Sequence, residues 1–449
     1  MAQTPPSPGV VGRLTGALDS FIQKYLPDPL VIVILLTLFV FGLGIAVQGA
    51  TPVEMVGYFG DGFWNLLTFA MQMALVLVTG FVFASTPLFG RLLGALARRA
   101  STPGQAIVLV TLVSLAASFV NWGFGLVIGA LFAKRLAREV PEVDYRVLIA
   151  AGYSGFLIWH AGMSGSIPLT AATPGNFLEE EIGLIPASQT IFAPFNLILL
   201  AVIACGLPFL NRMMLNHGGR VLRAGDVGLD DRNDDHPEVS PRTPAGRLEH
   251  WPWLGRLVGI FGLAFLAVQV ARGEFALTLN TVNFGFLFAG LLLHGSAHDF
   301  LRAVDDAVKG VGGILIQFPF YAGVMGMMVG SGLAASLTDL FVDGANATIL
   351  PLLAFLSAGF VNVLVPSGGG QWAVQGPIIM PAAEALGADK ARVLMAIAWG
   401  DAWTNMIQPF WALPALAVAG LSARDIMGFC VLVLIVSGAV LMLGLTFLP

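Results

Sequence analysis

The sequence predicts an all-α polytopic membrane protein built from two inverted-topology repeats, each carrying a re-entrant hairpin and a broken transmembrane helix. Three observations lead there: an apolar composition, two overlong charge-free windows with polar centres, and internal matches at nearly one offset. Composition sets the class. Of 449 residues, 57% are hydrophobic and 11% charged, with a mean hydropathy of +0.83, outside the range of soluble domains. A spanning helix takes about 20 mostly apolar residues, and windows of that kind recur from Pro29 to Ile426, which gives roughly ten spans or half-spans.

Residues 1–28 read as a cytoplasmic amphipathic segment. Lys24 precedes an apolar run that ends in small residues, but Leu30 to Val47 is long enough to span and further spans follow, which excludes a cleaved signal. Residues 29–214 form the first membrane repeat, with its hairpin at about 105–133 and its broken helix at about 147–176. Arg91, Arg98, Arg99, Lys134, Arg135, Arg138 and Arg146 put the neighbouring loops inside. Glu179, Glu180 and Glu181 mark an external, solvated loop. Residues 215–256, rich in Asp, Arg, Gly and Pro, form a polar cytoplasmic linker. A connecting transmembrane helix at 257–274 leads to the second membrane repeat, 275–449, with its hairpin at about 349–383 and its broken helix at about 392–420.

The duplication rests on specific matches. SLAASFVN (114 to 121) matches FLSAGFVN (355 to 362), and VLIAAGYSGFLIWHAGMSGSIPL (147 to 169) aligns with VLMAIAWGDAWTNMIQPFWALPA (393 to 415), placing Pro168 on Pro414. Gln72 and Gln317 keep a similar spacing in the preceding windows. With the N-terminus inside, Leu30 to Val47 runs outward, whereas its counterpart Phe275 to Leu293 runs inward toward Arg302 and Lys309. The two halves are therefore expected to be oppositely inserted.

The windows Ala100 to Ala133 and Gly344 to Ala383 are too long for one span and short for two, and each has Phe-Val-Asn near its middle. Hairpins that dip in and return fit this length. Unsatisfied backbone groups in hydrocarbon cost several kcal/mol each, so unwound tips at NWGFG (121 to 125) and VPSGGGQW (365 to 372) must line a cavity. Glycine there permits close approach and unusual dihedrals, and half-helix N-termini favour an anion. Taken singly, the same glycines would serve only helix packing, and Pro366 only a kink.

Candidate substrate-binding residues are therefore Asn121, Trp122, Gly123 and Gly125 in the first hairpin, and Asn362, Ser367, Gly368, Gly369, Gly370, Gln371 and Trp372 in the second. Ser164 and Ser166 join them from the first broken helix. Asp401, Asn405 and Gln408 on the second broken helix are candidates for coupling to a cation, a proton or sodium, with Asp401 standing where the first repeat has Gly155. No Lys or Arg falls in these segments, so they suit a single carboxylate better than two.

Other classes find little support. Cys205 and Cys430 lie in apolar segments and offer neither a disulfide framework nor a metal site. The formal charge of −5 comes without a basic stripe, which argues against nucleic acid. His160 and Ser164 stand at i and i+4, but Pro168 and nearby glycines make a regular helix doubtful there, and neither an enzyme nor a nucleotide-driven pump has its motif. No cofactor is expected.

LPDPL (26 to 30), GDGFWNLL (60 to 67), FVNWGFGLVIGA (119 to 130), AATPGN (171 to 176), TVN (281 to 283), QFPFYAG (317 to 323), VPSGGGQW, QGP (375 to 377) and QPFWALPALA (408 to 417) extend over nearly the whole chain. Together they resemble the bacterial short-chain fatty acid transporter family, the permeases associated with acetoacetate and butyrate use. The resemblance implies secondary active uptake of short monocarboxylates across the bacterial inner membrane. It also implies kinship with a wider ion-transporter superfamily whose members carry paired hairpins, are commonly homodimers, and move a transport domain past a scaffold. A sodium-coupled dicarboxylate carrier of that superfamily is the alternative.

Overall fold

Proline and hydroxyl caps set where the helices start. Pro52, Pro87, Pro103, Pro194 and Pro252 stand in the first turns of their helices, where an N–H would have no intrahelical acceptor. The computed structural model describes residues 29–216, 221–227, 243–364, 367–408, 411–412, 415–416 and 419–448. The amphipathic segment expected at 1–28, and linker residues 217–220 and 228–242, lie outside the described residues.

The first half comprises α1 (Pro29–Gln48), α2 (Pro52–Gly62), α3 (Leu67–Ala84), α4 (Pro87–Ala97), α5 (Pro103–Val120), α6 (Trp122–Glu139), α7 (Tyr145–Ser154), α8 (Ser166–Ala172) and α9 (Pro194–Met213). After the linker, α10 (Pro252–Arg272) leads to α11 (Leu279–Leu293), α12 (Ala297–Val308), α13 (Gly312–Gly330), α14 (Leu333–Gly344), α15 (Leu350–Leu364), α16 (Gly368–Ala385), α17 (Lys390–Thr404) and α18 (Ala423–Phe447). In each half a close helix pair (α5 with α6, α15 with α16) is followed by an interrupted helix and a long one.

Among the described residues, eight helices are long and apolar enough to cross a membrane. In the most apolar 18 residues of the span Tyr145–Ala172, 94% are buried, whereas the corresponding share in Leu30–Gln48 and Pro252–Arg272 is 17%. The interrupted helix is thus the centre of the molecule. The apolar faces of α1 and α10 are left for lipid.

Both interruptions are present. α7 passes into a 3₁₀ turn at Gly155–Ala161, becomes extended at Gly162 and restarts as α8. α17 passes into a 3₁₀ turn at Asn405–Ile407 and becomes extended at Gln408. Each starts slightly earlier than the apolar pattern suggests, because Asp144 and Asp389 cap the backbone amides that follow them. The connecting helix likewise starts at Pro252 rather than 257, since Pro suits a first turn.

Glycine packing fixes helix directions. Gly125 lies against Ser118 and Gly129 against Ser114, so α5 and α6 form an antiparallel pair that turns on the single residue Asn121. Gly155 lies against Ser114 and Gly162 against Phe119, which sets the interrupted helix parallel to α5. In the second half Gly400 lies against Phe355 and Gly359 against Trp403, giving the same parallel arrangement of α15 and α17. Across the halves, Phe69 meets Phe318 at 5.5 Å between ring centroids and Leu77 meets Gly310, so α3 runs antiparallel to α13. Gln72 bonds Asn280 and Asn283 while Val82 meets His294, so α3 runs parallel to α11.

One expectation needs correcting. The tip glycines do not use unusual dihedrals: among the described residues the positive-φ glycines are 49, 175, 183, 273, 332, 387 and 420. Gly123, Gly125 and Gly368 to Gly370 are helical, in the first turns of α6 and α16. Asn121 and Ser367 cap those turns by accepting from Phe124 N–H (2.9 Å) and Gly370 N–H (3.2 Å). What the glycines supply is the absence of a side chain.

Candidate functional site

The two interruptions and the two helix-pair tips meet at one buried cluster. At its centre His160 Nδ1 lies 3.0 Å from Asp401 Oδ2, with both residues fully buried. His160 Nε2 lies 2.8 Å from Ser166 Oγ and accepts the Ile167 N–H at 3.0 Å. The start of α16 closes over this pair: a Cβ on Gly368 would stand 2.6 Å from His160 Cε1, 2.8 Å from Ser166 Oγ and 3.0 Å from Trp159. Gly368, Ser166 and Asp401, three of the residues singled out in the sequence, therefore surround one histidine.

The remaining polar candidates tie the cluster to its neighbours. Asn362 donates to the Asp401 carbonyl (2.7 Å) and to Thr404 Oγ1 (2.9 Å), linking α15 to α17. Its own carbonyl accepts from Gln408. Asn405 Oδ1 accepts from Trp159 Nε1 (2.9 Å), its carbonyl accepts from the Tyr153 hydroxyl (2.6 Å), and its Nδ2 donates to Gln408 Oε1 (3.3 Å). Ser164 accepts the Trp122 N–H at 2.8 Å, holding the first tip against the first interruption.

The aromatic candidates divide. Trp122 packs with Trp159 and Trp411, and Trp159 stacks on His160 at 4.0 Å between centroids, forming an apolar wall beside the pair. Trp372, fully buried, instead faces Gly376 one turn further along α16. Gln371 bonds Ala358 O (3.0 Å) and Gln375 (2.8 Å), which holds α16 to α15. Gly369 packs on Phe69 and Phe318, Gly370 on Tyr321, and Gly123 on Leu77. These three glycines thus face α3 and α13 rather than His160.

A cavity of about 140 Å³ lies where Asn65, Thr68, Gln72, Thr170, Thr173 and Asn176 converge, with Phe69 in its wall. Phe69 also covers Gly369, so this cavity and the second tip are separated by one ring. A larger cavity of about 520 Å³, lined in part by His294, Asp299 and Arg302, includes none of the site residues.

Sequence reasoning missed His160 as the partner of Asp401. A signal was available: Asp401 is the one Asp, Glu, Lys or Arg between Val393 and Ala423, and His160 is the one histidine in the aligned window of the first half. An ionisable residue in a membrane segment calls for a partner.

The short chain fatty acid transporter family profile matches residues 10–448. The chain belongs to that family. A protein of Escherichia coli (strain K12) named for short-chain fatty acid transport is 46% identical over 438 residues, covering 97% of this chain and 100% of the relative. A Haemophilus influenzae protein named in the same way is 45% identical over 453 residues, covering 98% and 100%. Family members are transporters rather than enzymes, and the chain is a multi-pass membrane protein. The fold is similar to that of the YdaH transporter of Alcanivorax borkumensis, with a TM-score of 0.57 at 16% identity over 94% of this chain and 97% of that one. It is also similar to MtrF of Neisseria gonorrhoeae, described among antimetabolite efflux pumps, with a TM-score of 0.53 at 15% identity over 96% and 97%.

Proposed function

We propose that this chain takes up short-chain monocarboxylates across the inner membrane by cation-coupled symport, working as a homodimer with elevator-type alternating access. The observation that carries the substrate class is the start of α16 abutting the His160 and Asp401 pair in a cluster to which no Lys or Arg contributes. The first turn of a helix holds N–H groups without intrahelical acceptors and the positive end of the dipole. That suits one carboxylate. A second would lose its hydration without a cation to meet it. The Trp122, Trp159 and Trp411 wall supplies an apolar surface for a short tail.

Inverted repeats are supported by helix direction. α3 and α13, which occupy the same place in the order of the two halves, run antiparallel, and α3 runs parallel to α11, the counterpart of α1. On this reading the two helix pairs, α5 with α6 and α15 with α16, are re-entrant from opposite sides. They move with the interrupted helices along a frame containing α3 and α13. The bare glycines at 123, 369 and 370 face that frame, where Asn121 of the first tip also bonds Val76 O.

Counterflow of labelled butyrate in proteoliposomes tests the substrate class. Each buried methylene contributes roughly 0.8 kcal/mol, about fourfold in affinity. Competition should strengthen from acetate to butyrate and then level or fall. Strong competition by succinate would replace this reading with the dicarboxylate carrier.

A further inference from the structure

We propose that the Asp401–His160 pair is the proton site that couples uptake to the proton gradient, with the proton held on Asp401 Oδ1 and His160 as the residue that positions it against the substrate. This rests on the transporter reading above and names the coupling ion within it.

The tautomer follows from Ile167. Its N–H donates to His160 Nε2, so Nε2 presents a lone pair, and the ring hydrogen sits on Nδ1, which donates to Asp401 Oδ2. The imidazole is neutral. With the carboxylate ionised, the pair carries one negative charge in a place shut off from solvent. Asp401 Oδ1 is buried and has no hydrogen-bond partner among the described residues, a state that in a folded protein requires an explanation. A proton on Oδ1 removes the charge and breaks none of the surrounding bonds.

Among the described residues, no other charged group stands beside the pair. α15 offers Asn362, α8 offers Ser166, the start of α16 offers Gly368, and the 3₁₀ turn offers Asn405. From the other packed elements, among the described residues, come Tyr153, which bonds the Asn405 carbonyl, and Cys430. Arg392 and Lys390 lie at the start of α17, roughly 13 Å or more along the helix at 1.5 Å per residue, and Lys390 pairs with Glu384. Arg424 and Asp425 are in the first turn of α18.

A sodium ion fits less well. Hard cations need several oxygen ligands, and the oxygens of Asn405 and Gln408 already accept from Trp159, Tyr153 and Asn405 Nδ2. Among the described residues the one hydrogen-bond partner of the Asp401 carboxylate is the His160 ring, at Oδ2. Asn405 and Gln408, expected as cation ligands, become the ties that hold the interruption in shape.

Coupling then follows from charge. An anion drawn to the start of α16 would approach the Cε1 edge of His160, whose Nδ1 meets Asp401. The unprotonated pair repels it, and the protonated pair accepts it. One proton and one monocarboxylate therefore bind together, and the loaded site adds no net charge to its crossing.

Butyrate binding to the purified full-length protein, followed from about pH 6 to 9 where the acid is fully ionised, tests this. Wild-type affinity should fall by about tenfold per pH unit on the alkaline side, the slope for one linked proton. Asp401→Asn should flatten the profile. His160→Gln keeps a donor toward Asp401 and should displace the profile, which a merely structural role would not do. In proteoliposomes a pH gradient should drive accumulation and a sodium gradient should not. A flat wild-type profile, a wild-type profile in Asp401→Asn or in His160→Gln, or accumulation driven by sodium alone would each overturn the proton site while counterflow of butyrate survives. Absence of counterflow in wild type would instead overturn the transporter reading on which it rests.

Discussion

Gly368→Ala separates a structural glycine from a functional one. Gly368 opens α16, and intrinsic propensity favours Ala over Gly in a helix by up to about 1 kcal/mol. Packing acts in the opposite direction. The new methyl would stand 2.6 Å from His160 Cε1, 2.8 Å from Ser166 Oγ and 3.0 Å from Trp159. His160 cannot retreat, because Asp401, Ser166 and Ile167 hold both ring nitrogens and Trp159 covers its face. Overpacking of this kind costs about 1–3 kcal/mol, which corresponds to roughly 5- to 150-fold in binding at 1.4 kcal/mol per factor of ten. The assay is butyrate affinity, with thermal unfolding of the same preparation. Gly206→Ala serves as the control: nothing lies within 4 Å of its Cβ position in α9, so it should hold or raise the melting temperature and leave affinity alone. If Gly368→Ala binds butyrate as wild type does, the start of α16 is not part of the site.

Two further substitutions probe the frame around it. Asn121→Ala removes the cap of α6 and the bond to Val76 O, and should lower stability by about 1 kcal/mol, read as a lower melting temperature with reduced uptake. Asn362→Leu leaves the Asp401 carbonyl and Thr404 without their buried donor, and should cost about 1–3 kcal/mol. An unchanged melting temperature in Asn362→Leu would show that the α15–α17 contact does not depend on it.

Much of the architecture was legible because membrane segments obey few rules. The Gly, Ser, Asn, Gln and Pro of 159–176 and 401–414 marked where the two helices are interrupted, and two overlong charge-free windows marked the helix pairs, whereas re-entry and inversion belong to the proposed reading. The tips were misread in one respect. A run such as Ser-Gly-Gly-Gly satisfies two demands equally, unwound backbone or a helix start under bulky neighbours, and only the positions of Phe69, Phe318, Tyr321 and His160 decide between them. The role of His160 was hidden for a related reason. Its partner is 241 residues away, and no local pattern reports a contact between two interruptions.

Why a duplicated architecture should hold one such acid follows from the packing of its counterpart. A Cβ on Gly155 would meet Ser114 Oγ at 2.5 Å and the Leu115 amide nitrogen at 2.7 Å, so the first interruption has no room for a carboxylate where the second has Asp401. Gly400 shows that the second interruption packs just as closely on Phe355 and Ala358, but one residue earlier. That offset turns the next side chain, Asp401, out of the α15 contact and toward the first half, where His160 meets it. The acid comes from the second half of the chain and the histidine from the first, so the pair sits where the two halves meet. Any motion that changes how the two interruptions meet would also change the environment of the proton, and Gly368 places the substrate tip in the same contact. On the proposed reading, that single charge-bearing group on the boundary makes binding of the acid and binding of the proton depend on each other.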